Sequence, residues 1–305
     1  MFGTTLEVPV DRPVDGDTVR VLIEGRSEAL RILALDTEES RPGSDKPMTP
    51  WGREASDHAA TLFLPGRMVT LEFEGNEPVA ECLQRYRDNF GRLLVLVHLD
   101  GLNFSEHMIA EGYSPYFNKY GHARFPEYHQ AFVAAERGAQ AARRGLWDQV
   151  TANGAEQRNY ANLGAWWSLR AAIIDDYRRA RAEGADILNS RLDYADIAAR
   201  AADGGNIVVF TELAAFRRLG SRRAVIDIGS RAQPFQVFIP DIESDDGTAL
   251  VNLVHERYLA EDDGRTTIRA RRSYAYVEGP LQLYRDAPEV VVTGPAAITD
   301  APPGR

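Results

Sequence analysis

Five side chains near the start of the chain have types and spacing that suit joint chemistry: Asp17, Arg31, Asp36, Thr37 and Glu39. Asp17 opens one predicted strand and Asp36 closes another, so hairpin pairing brings the two carboxylates together. Two converging carboxylates with a hydroxyl beside them suit a hard, oxygen-loving cation. Arg31 offers planar, bidentate donors for a phosphate, and Glu39 offers a proton acceptor. The set points to metal-assisted phosphodiester chemistry. Taken singly, each residue has a plainer reading. Aspartates at strand ends are common turn formers, Arg31 suits a strand salt bridge to Asp17 or Asp36, and Glu38 is a fair surface glutamate. The register of all five is what carries the chemistry.

The elements that must position them are legible nearby. Val19, Val21 and Ile23 alternate with polar residues as in a half-buried strand. Glu24-Gly25-Arg26 turns the chain, and Leu30, Ile32 and Leu33 carry it back. Strands are predicted over Thr4–Val10, Thr18–Glu24, Glu28–Leu35, Met68–Phe73 and Arg92–Leu99, with Pro9 and Pro13 marking the first as an edge or irregular one. Ser40–Thr49 is rich in turn formers and reads as a mobile rim. Thr49-Pro50 starts a helix with a capping hydroxyl and a proline at its first position. Further helices are predicted over Phe104–Ala110 and Phe125–Arg144, and Arg85–Gly91 reads as a polar hairpin tip. Five strands with three helices describe a small barrel of the oligonucleotide/oligosaccharide-binding (OB) type.

The runs D-G-D-T-V, R-I-L-A-L-D-T-x-E and N-F-G-R, the last ending at Arg92, resemble the staphylococcal thermonuclease family from about Thr5 to Trp147. That resemblance implies the same barrel and gives roles to residues. Asp17, Asp36 and Thr37 would bind calcium, Arg31 and Arg92 would hold the scissile phosphate, and Glu39 would activate water. Magnesium or manganese fits the same donors. Lys119 and Tyr120, in the aromatic run YSPYFNKY, fall where the family stacks a base and holds a terminal phosphate. One departure is visible: Glu38 stands where the family usually has proline.

The chain has 305 residues, enough for two domains, with 44% hydrophobic and 26% charged residues, as in an ordinary soluble globular protein. No apolar run approaches the roughly 18 residues needed to cross a bilayer, and MFGTTLEVPVDRP has no basic flank and apolar core of a secretory signal. A cytoplasmic protein with no membrane partner is the expectation, with a secreted mature form as the alternative. A net charge of −10 argues against a generic polyanion-binding surface, although local arginine clusters still decide where a nucleic-acid backbone docks. Cys82 is the single cysteine, so no internal disulfide exists.

Composition shifts near Asp148. A thermonuclease-like domain over residues 1–150, a helical connector over 151–204 and an OB-like barrel over 205–305 are expected, making the whole α+β and mainly β. Trp166, Leu169, Ile173 and Tyr177 recur at helical spacing, and a second helix runs about Leu192–Ala202. The pair Trp166-Trp167 suits helix docking better than base stacking. Five strands follow, over Ile207–Phe210, Ala224–Ile228, Phe235–Ile239, Thr267–Val277 and Val290–Thr293, with a helix over Leu250–Tyr258. Arg217, Arg218, Arg222 and Arg223 cluster in a predicted turn, and Arg271 leads a strand into Tyr274. Arginine beside tyrosine on a barrel face is what single-strand binding uses; a solvated charged turn and a protein-docking or dimerisation module are the competing readings.

The resemblance implies a calcium-dependent nuclease leaving 5′-hydroxyl and 3′-phosphate ends. Its partner would be nucleic acid, single-stranded DNA first and RNA second. The rival is an inactive nuclease fold serving as a scaffold, which the intact acidic and arginine set disfavours.

Overall fold

The structure is a computed structural model, and it describes residues 1–41, 48–88, 90–148, 158–259 and 271–302. These fall into two compact units that divide after Ser168.

In the first unit, β1 (Thr5–Pro13), β2 (Thr18–Ile23) and β3 (Arg26–Ile32) form an antiparallel meander. β4 (Met68–Glu72) pairs with β1, and β5 (Leu93–Leu99) pairs antiparallel with β4. β5 also runs parallel to β3, Arg31 opposite Leu94, and that pairing closes five strands into a barrel. β6 (Leu102–Asn103) extends the β5 edge. Alternation does the sorting: Val8, Val10, Val19, Val21, Leu30, Ile32, Val69, Leu71, Val95 and Val97 fill one core. The barrel is the OB-type fold expected from the pattern.

Three of the unit's helices match expectation. Thr49 caps α1 (Pro50–Leu62) by accepting from the Gly52 N–H at 3.3 Å, and Ala55 and Ala59 face the core. α3 (Phe104–Ala110) is capped by Asn103, and α4 (Pro126–Ala141) buries Tyr128, Phe132 and Ala139. Between α1 and α3 in sequence, α2 (Val79–Arg85) replaces the start of the predicted hairpin tip. Seven residues with Cys82 alone buried leave no periodic signature for sequence to show. Much of the rim Ser40–Thr49 lies outside the described residues.

α5 (Tyr160–Ala182) follows, with Leu163, Trp166 and Trp167 buried in the first unit beside Phe117. In the second unit come β7 (Leu188–Asn189), α6 (Tyr194–Asp203), β8 (Asn206–Glu212), β9 (Ala215–Leu219), β10 (Arg223–Asp227) and β11 (Gln236–Ile239). α7 (Asp245–Leu253) runs into a π-helical turn, Val254–Tyr258. β12 (Tyr274–Tyr284), β13 (Ala287–Val291) and β14 (Ile298–Thr299) complete it. Part of the strand predicted over Thr267–Val277 lies outside the described residues.

This unit departs from the five-stranded barrel expected of it. Its sheet path is β7-β8-β12-β13-β11-β10-β9, with β14 on β12, and among the described residues no pairing joins β9 back to β7. β9 explains the open path. Ala215, Arg217, Arg218 and Leu219 are exposed, and a charged edge strand resists further pairing. Among the described residues no helix is long and apolar enough to cross a membrane.

Candidate active site

The β1–β2 turn and the segment after β3 meet at one end of the first barrel. Asp17 precedes β2, Arg31 lies in β3 opposite Thr18, and Asp36 and Thr37 follow β3. All four are buried. The Ile32 N–H donates to the Asp17 carbonyl at 3.0 Å, and the Thr37 N–H donates to Asp17 Oδ2 at 3.2 Å. Ser114, just past α3, holds the backbone of the other aspartate: it accepts from the Asp36 N–H at 2.9 Å while its hydroxyl donates to Pro115 O. Ala34 stands in the left-handed region at φ 65°, and its carbonyl accepts from the Phe117 N–H at 2.9 Å. A non-glycine residue in that region stores strain, which neighbouring contacts must hold in place.

Two glycines make room for this arrangement. A Cβ at Gly16 would lie 2.8 Å from Thr37 Cγ2, so the turn and Thr37 approach only without a side chain there. A Cβ at Gly52 would lie 2.2 Å from the Glu39 carbonyl oxygen, so α1 packs directly on the backbone of Glu39.

Arg31 is the centre of the charge. Its guanidinium pairs with Asp17 and donates to Asp36 Oδ1 at 3.0 Å. Burial alone would lower its pKa, but the charges of Asp17 and Asp36 outweigh that and raise it above the ordinary arginine value. Both carboxylates therefore already converge on one cation. That convergence, with two buried carboxylates and Thr37 as oxygen donors, fits a hard divalent ion. Asp15 was not singled out from sequence and stands beside the set. It accepts from the Gly16 N–H at 2.8 Å and from Ser40 Oγ at 3.2 Å, and burial, with Asp17 nearby, pushes its pKa up despite the Gly16 hydrogen bond.

Other expected residues stand in different company. Glu39 is half-buried and bridges to Met48 through the backbone. Glu38 is buried and accepts from the Tyr160 hydroxyl, so it is not the surface glutamate that sequence suggests. The Arg92 guanidinium is held by Asp88, Nε to Oδ2 at 2.7 Å, and lies 5.4 Å from the Phe90 ring. Arg92 immediately precedes β5, two residues before Leu94, the partner of Arg31. A cleft lined by Arg31, Phe117 and Tyr120 opens next to the carboxylates. Tyr120 is exposed and meets Phe117 edge-on at 5.5 Å, and Lys119 Nζ sits 4.7 Å from the Trp166 ring. Arg158 also reaches the centre and pairs with Asp36; only a fold brings it there, because 122 residues separate the two.

In the second unit the expected cluster divides. Arg217 lies on β9 and pairs with Asp227 through two bonds of 2.9 and 2.8 Å, and Arg222 pairs with Asp241 at 2.6 Å. Arg218 and Arg223 are exposed, and among the described residues neither has an ion-pair partner. Arg271 donates to the Glu256 carbonyl. Tyr274 corrects an expectation: it is buried, stacked on Phe210 at 5.2 Å with Arg170 4.7 Å above its ring, so its face is taken by the core.

Residues 29–149 match the staphylococcal nuclease homologue family. The thermonuclease of Staphylococcus hyicus is 30% identical over 139 residues, which are 45% of this chain and 73% of that protein. The chain belongs to the staphylococcal nuclease family. Endonuclease YncB of Bacillus subtilis is 33% identical over 107 residues, 35% of this chain and 46% of the relative. The prophage-derived endonuclease YokF of the same organism is 29% identical over 144 residues, 47% and 45% respectively. The chain thus spans about half the length of these two relatives. Asp17 precedes the family-matched segment, yet the meander carries it to Arg31 and Thr37.

Proposed function

We propose that this nuclease is a divalent-metal-dependent phosphodiesterase, with calcium as its ion and unpaired DNA as its preferred substrate. The observation that carries the reading is the Arg31 guanidinium shared by Asp17 and Asp36. It supports a centre where a cation and a phosphate meet two fixed carboxylates.

Asp17, Asp36 and Thr37 would hold the metal, which when bound supplies charge neutralisation at the phosphoryl oxygens. Arg31 donates to a non-bridging phosphate oxygen and gains in effect as negative charge grows there in the transition state. Arg92 joins it by exchanging Asp88 for phosphate. Glu39 accepts a proton from the water that attacks phosphorus. The bond from phosphorus to the 5′ oxygen breaks, and that oxygen takes up a proton, leaving a 5′-hydroxyl and a 3′-phosphate. Tyr120 lines the cleft beside Arg31 and Lys119 precedes it in the chain, and the two suit a base and a neighbouring phosphate. The second unit would hold the strand through Arg218 and Arg223, whose charges are not matched by neighbouring acids.

The test is a divalent-metal titration of cleavage on labelled single- and double-stranded DNA and RNA, with end-group analysis of the products. Calcium-dependent cutting, fastest on unpaired DNA and leaving 3′-phosphates, is the expected outcome. Full activity in excess chelator would sink the metal mechanism.

A further inference from the structure

Asp17 and Asp36 already have cationic partners within the protein. Asp17 Oδ2 accepts from the Thr37 N–H and pairs with Arg31, and Asp17 Oδ1 accepts from Thr18 Oγ1 at 3.0 Å. Asp36 Oδ1 accepts from Arg31, and Asp36 Oδ2 pairs with Arg158. Two carboxylates therefore face two guanidinium groups. Arg31 is a strand residue of the barrel, but Arg158 comes from beyond the family-matched segment, two residues before α5 begins.

Arg158 is held there by more than its charge. Its guanidinium carbon lies 5.7 Å from the Trp167 ring and 5.9 Å from the Tyr160 ring, within the range of cation–π attraction. Trp167 is buried edge-on against Phe117 at 4.9 Å, and Tyr160 packs 5.6 Å from Trp147. Tyr160 also donates its hydroxyl to Glu38, the residue that stands where the family usually has proline. Two acidic residues close in sequence, Asp36 of the proposed metal set and Glu38, thus bind the same short segment of chain.

We propose that Arg158 sets the cation affinity of the centre by competing for Asp36, and that Glu38 and Tyr160 hold the competitor in place. The proposal rests on the metal-dependent reading above. Asp36 has to release Arg158 before Oδ2 can serve a cation. The apparent dissociation constant for the ion then exceeds the intrinsic one by the reciprocal of the fraction of time Arg158 is away. A guanidinium paired with a buried carboxylate and flanked by two rings is away rarely. Glu38 gains a purpose that its position after Asp36-Thr37 does not otherwise give it: it anchors Tyr160, and through Tyr160 the arginine two residues earlier.

The test is calorimetric titration of the full chain with calcium, comparing wild type, Arg158→Gln, Arg158→Lys and Tyr160→Phe. Arg158→Gln should bind calcium about tenfold more tightly, as expected when a mostly occupied competitor is removed. Arg158→Lys should stay close to wild type, because it keeps the charge, and Tyr160→Phe should shift the same way as Arg158→Gln by a smaller factor. The metal concentration for half-maximal cleavage should fall in parallel. Equal or weaker calcium binding by Arg158→Gln, beside normal binding by wild type, overturns the proposal, and so does a loss of turnover at unchanged affinity, which would make Arg158 a phosphate ligand. No calcium binding by any of the proteins overturns both this proposal and the metal reading. Circular dichroism in chelator shows whether Arg158→Gln is folded; where it is not, Tyr160→Phe decides, since that variant retains the arginine and loses only its anchor.

Discussion

The Thr37 N–H donates to Asp17 Oδ2 at 3.2 Å and so ties the segment after β3 to the turn before β2. The donor is backbone, so the orientation of Asp17 does not depend on which side chain occupies position 37. A carboxylate aimed by a main-chain amide keeps its direction while its other partners change. That property suits the metal ligand proposed for Asp17, whose arginine would give way to an ion.

Glu38 and Glu39 should separate cleanly under substitution. Glu39→Gln removes the proposed proton acceptor and should lower kcat by about 10²–10⁴ while leaving the melting temperature near wild type. Glu38→Gln should lower kcat far less and the melting temperature more, because Glu38 is buried and binds Tyr160. Single-turnover cleavage and thermal melts of both variants check this. The reverse pattern would move the base to Glu38.

Arg31→Ala should be costly without metal and partly rescued with it. Removing the guanidinium leaves Asp17 buried without its cation while Asp36 keeps Arg158, a loss of about 3–5 kcal/mol for a broken buried pair. Calcium then replaces the missing charge, so its stabilising shift should be larger in the variant than in wild type. Denaturant titrations with calcium and with chelator read the difference. Activity should stay low in both, because the proposed phosphate ligand is gone.

The barrel and its centre were legible in sequence because their signals are local. Alternating Val19, Val21 and Ile23 mark a strand, and Thr49-Pro50 marks a helix start, whatever the rest of the chain does. The aspartates and Arg31 stand at ends and registers fixed by that meander. Arg158 carries no such mark, since only tertiary packing brings a residue after the family-matched segment to Asp36. Tyr274 misled for the opposite reason. Arginine and tyrosine neighbours suggest a binding face, but alternation along β12 does not say which side faces the core, and Phe210 claims the ring. β9 went unread because its exposed arginines interrupt any apolar alternation.

Acid should weaken the first barrel through Glu72. Burial alone would raise its pKa, but His98 Nε2 and the Tyr128 hydroxyl, each 2.6 Å from Oε2, and the N–H groups of Gly3 and Phe2 hold it down at about 2. The folded value lies below the ordinary carboxyl value of 4.5, so the stabilisation is complete above pH 4.5 and is lost as pH falls through about 2. One proton adds a slope of at most about 1.4 kcal/mol per pH unit in that window. Unfolding free energies measured from neutral pH down to pH 3 should show this slope in wild type and lack it in Glu72→Gln.

In the second unit, strand binding should follow the unmatched arginines and leave Tyr274 out. The double substitution Arg218→Ala with Arg223→Ala should weaken binding of a long unpaired oligonucleotide. It should also flatten the dependence of log Kd on log salt by about 0.7 for each phosphate that is no longer neutralised. Tyr274→Ala should lower stability by about 3 kcal/mol or more, as for a large buried ring. Affinities at two salt concentrations, with a melt of each variant, separate these effects. A stable Tyr274→Ala protein with weak strand binding would return that ring to the binding face.

Gly52 shows how an active site can depend on a residue with nothing to offer a substrate. Because α1 rests on the Glu39 carbonyl with no space for a methyl group, any replacement there has to push the proposed base off its mark. Every acid, arginine and metal donor would survive such a change in composition. An inventory of functional groups would therefore score the altered chain as intact. For a sequence drifting under selection, the freedom lost is steric: the helix and the loop cannot diverge independently while they share that one vacant corner.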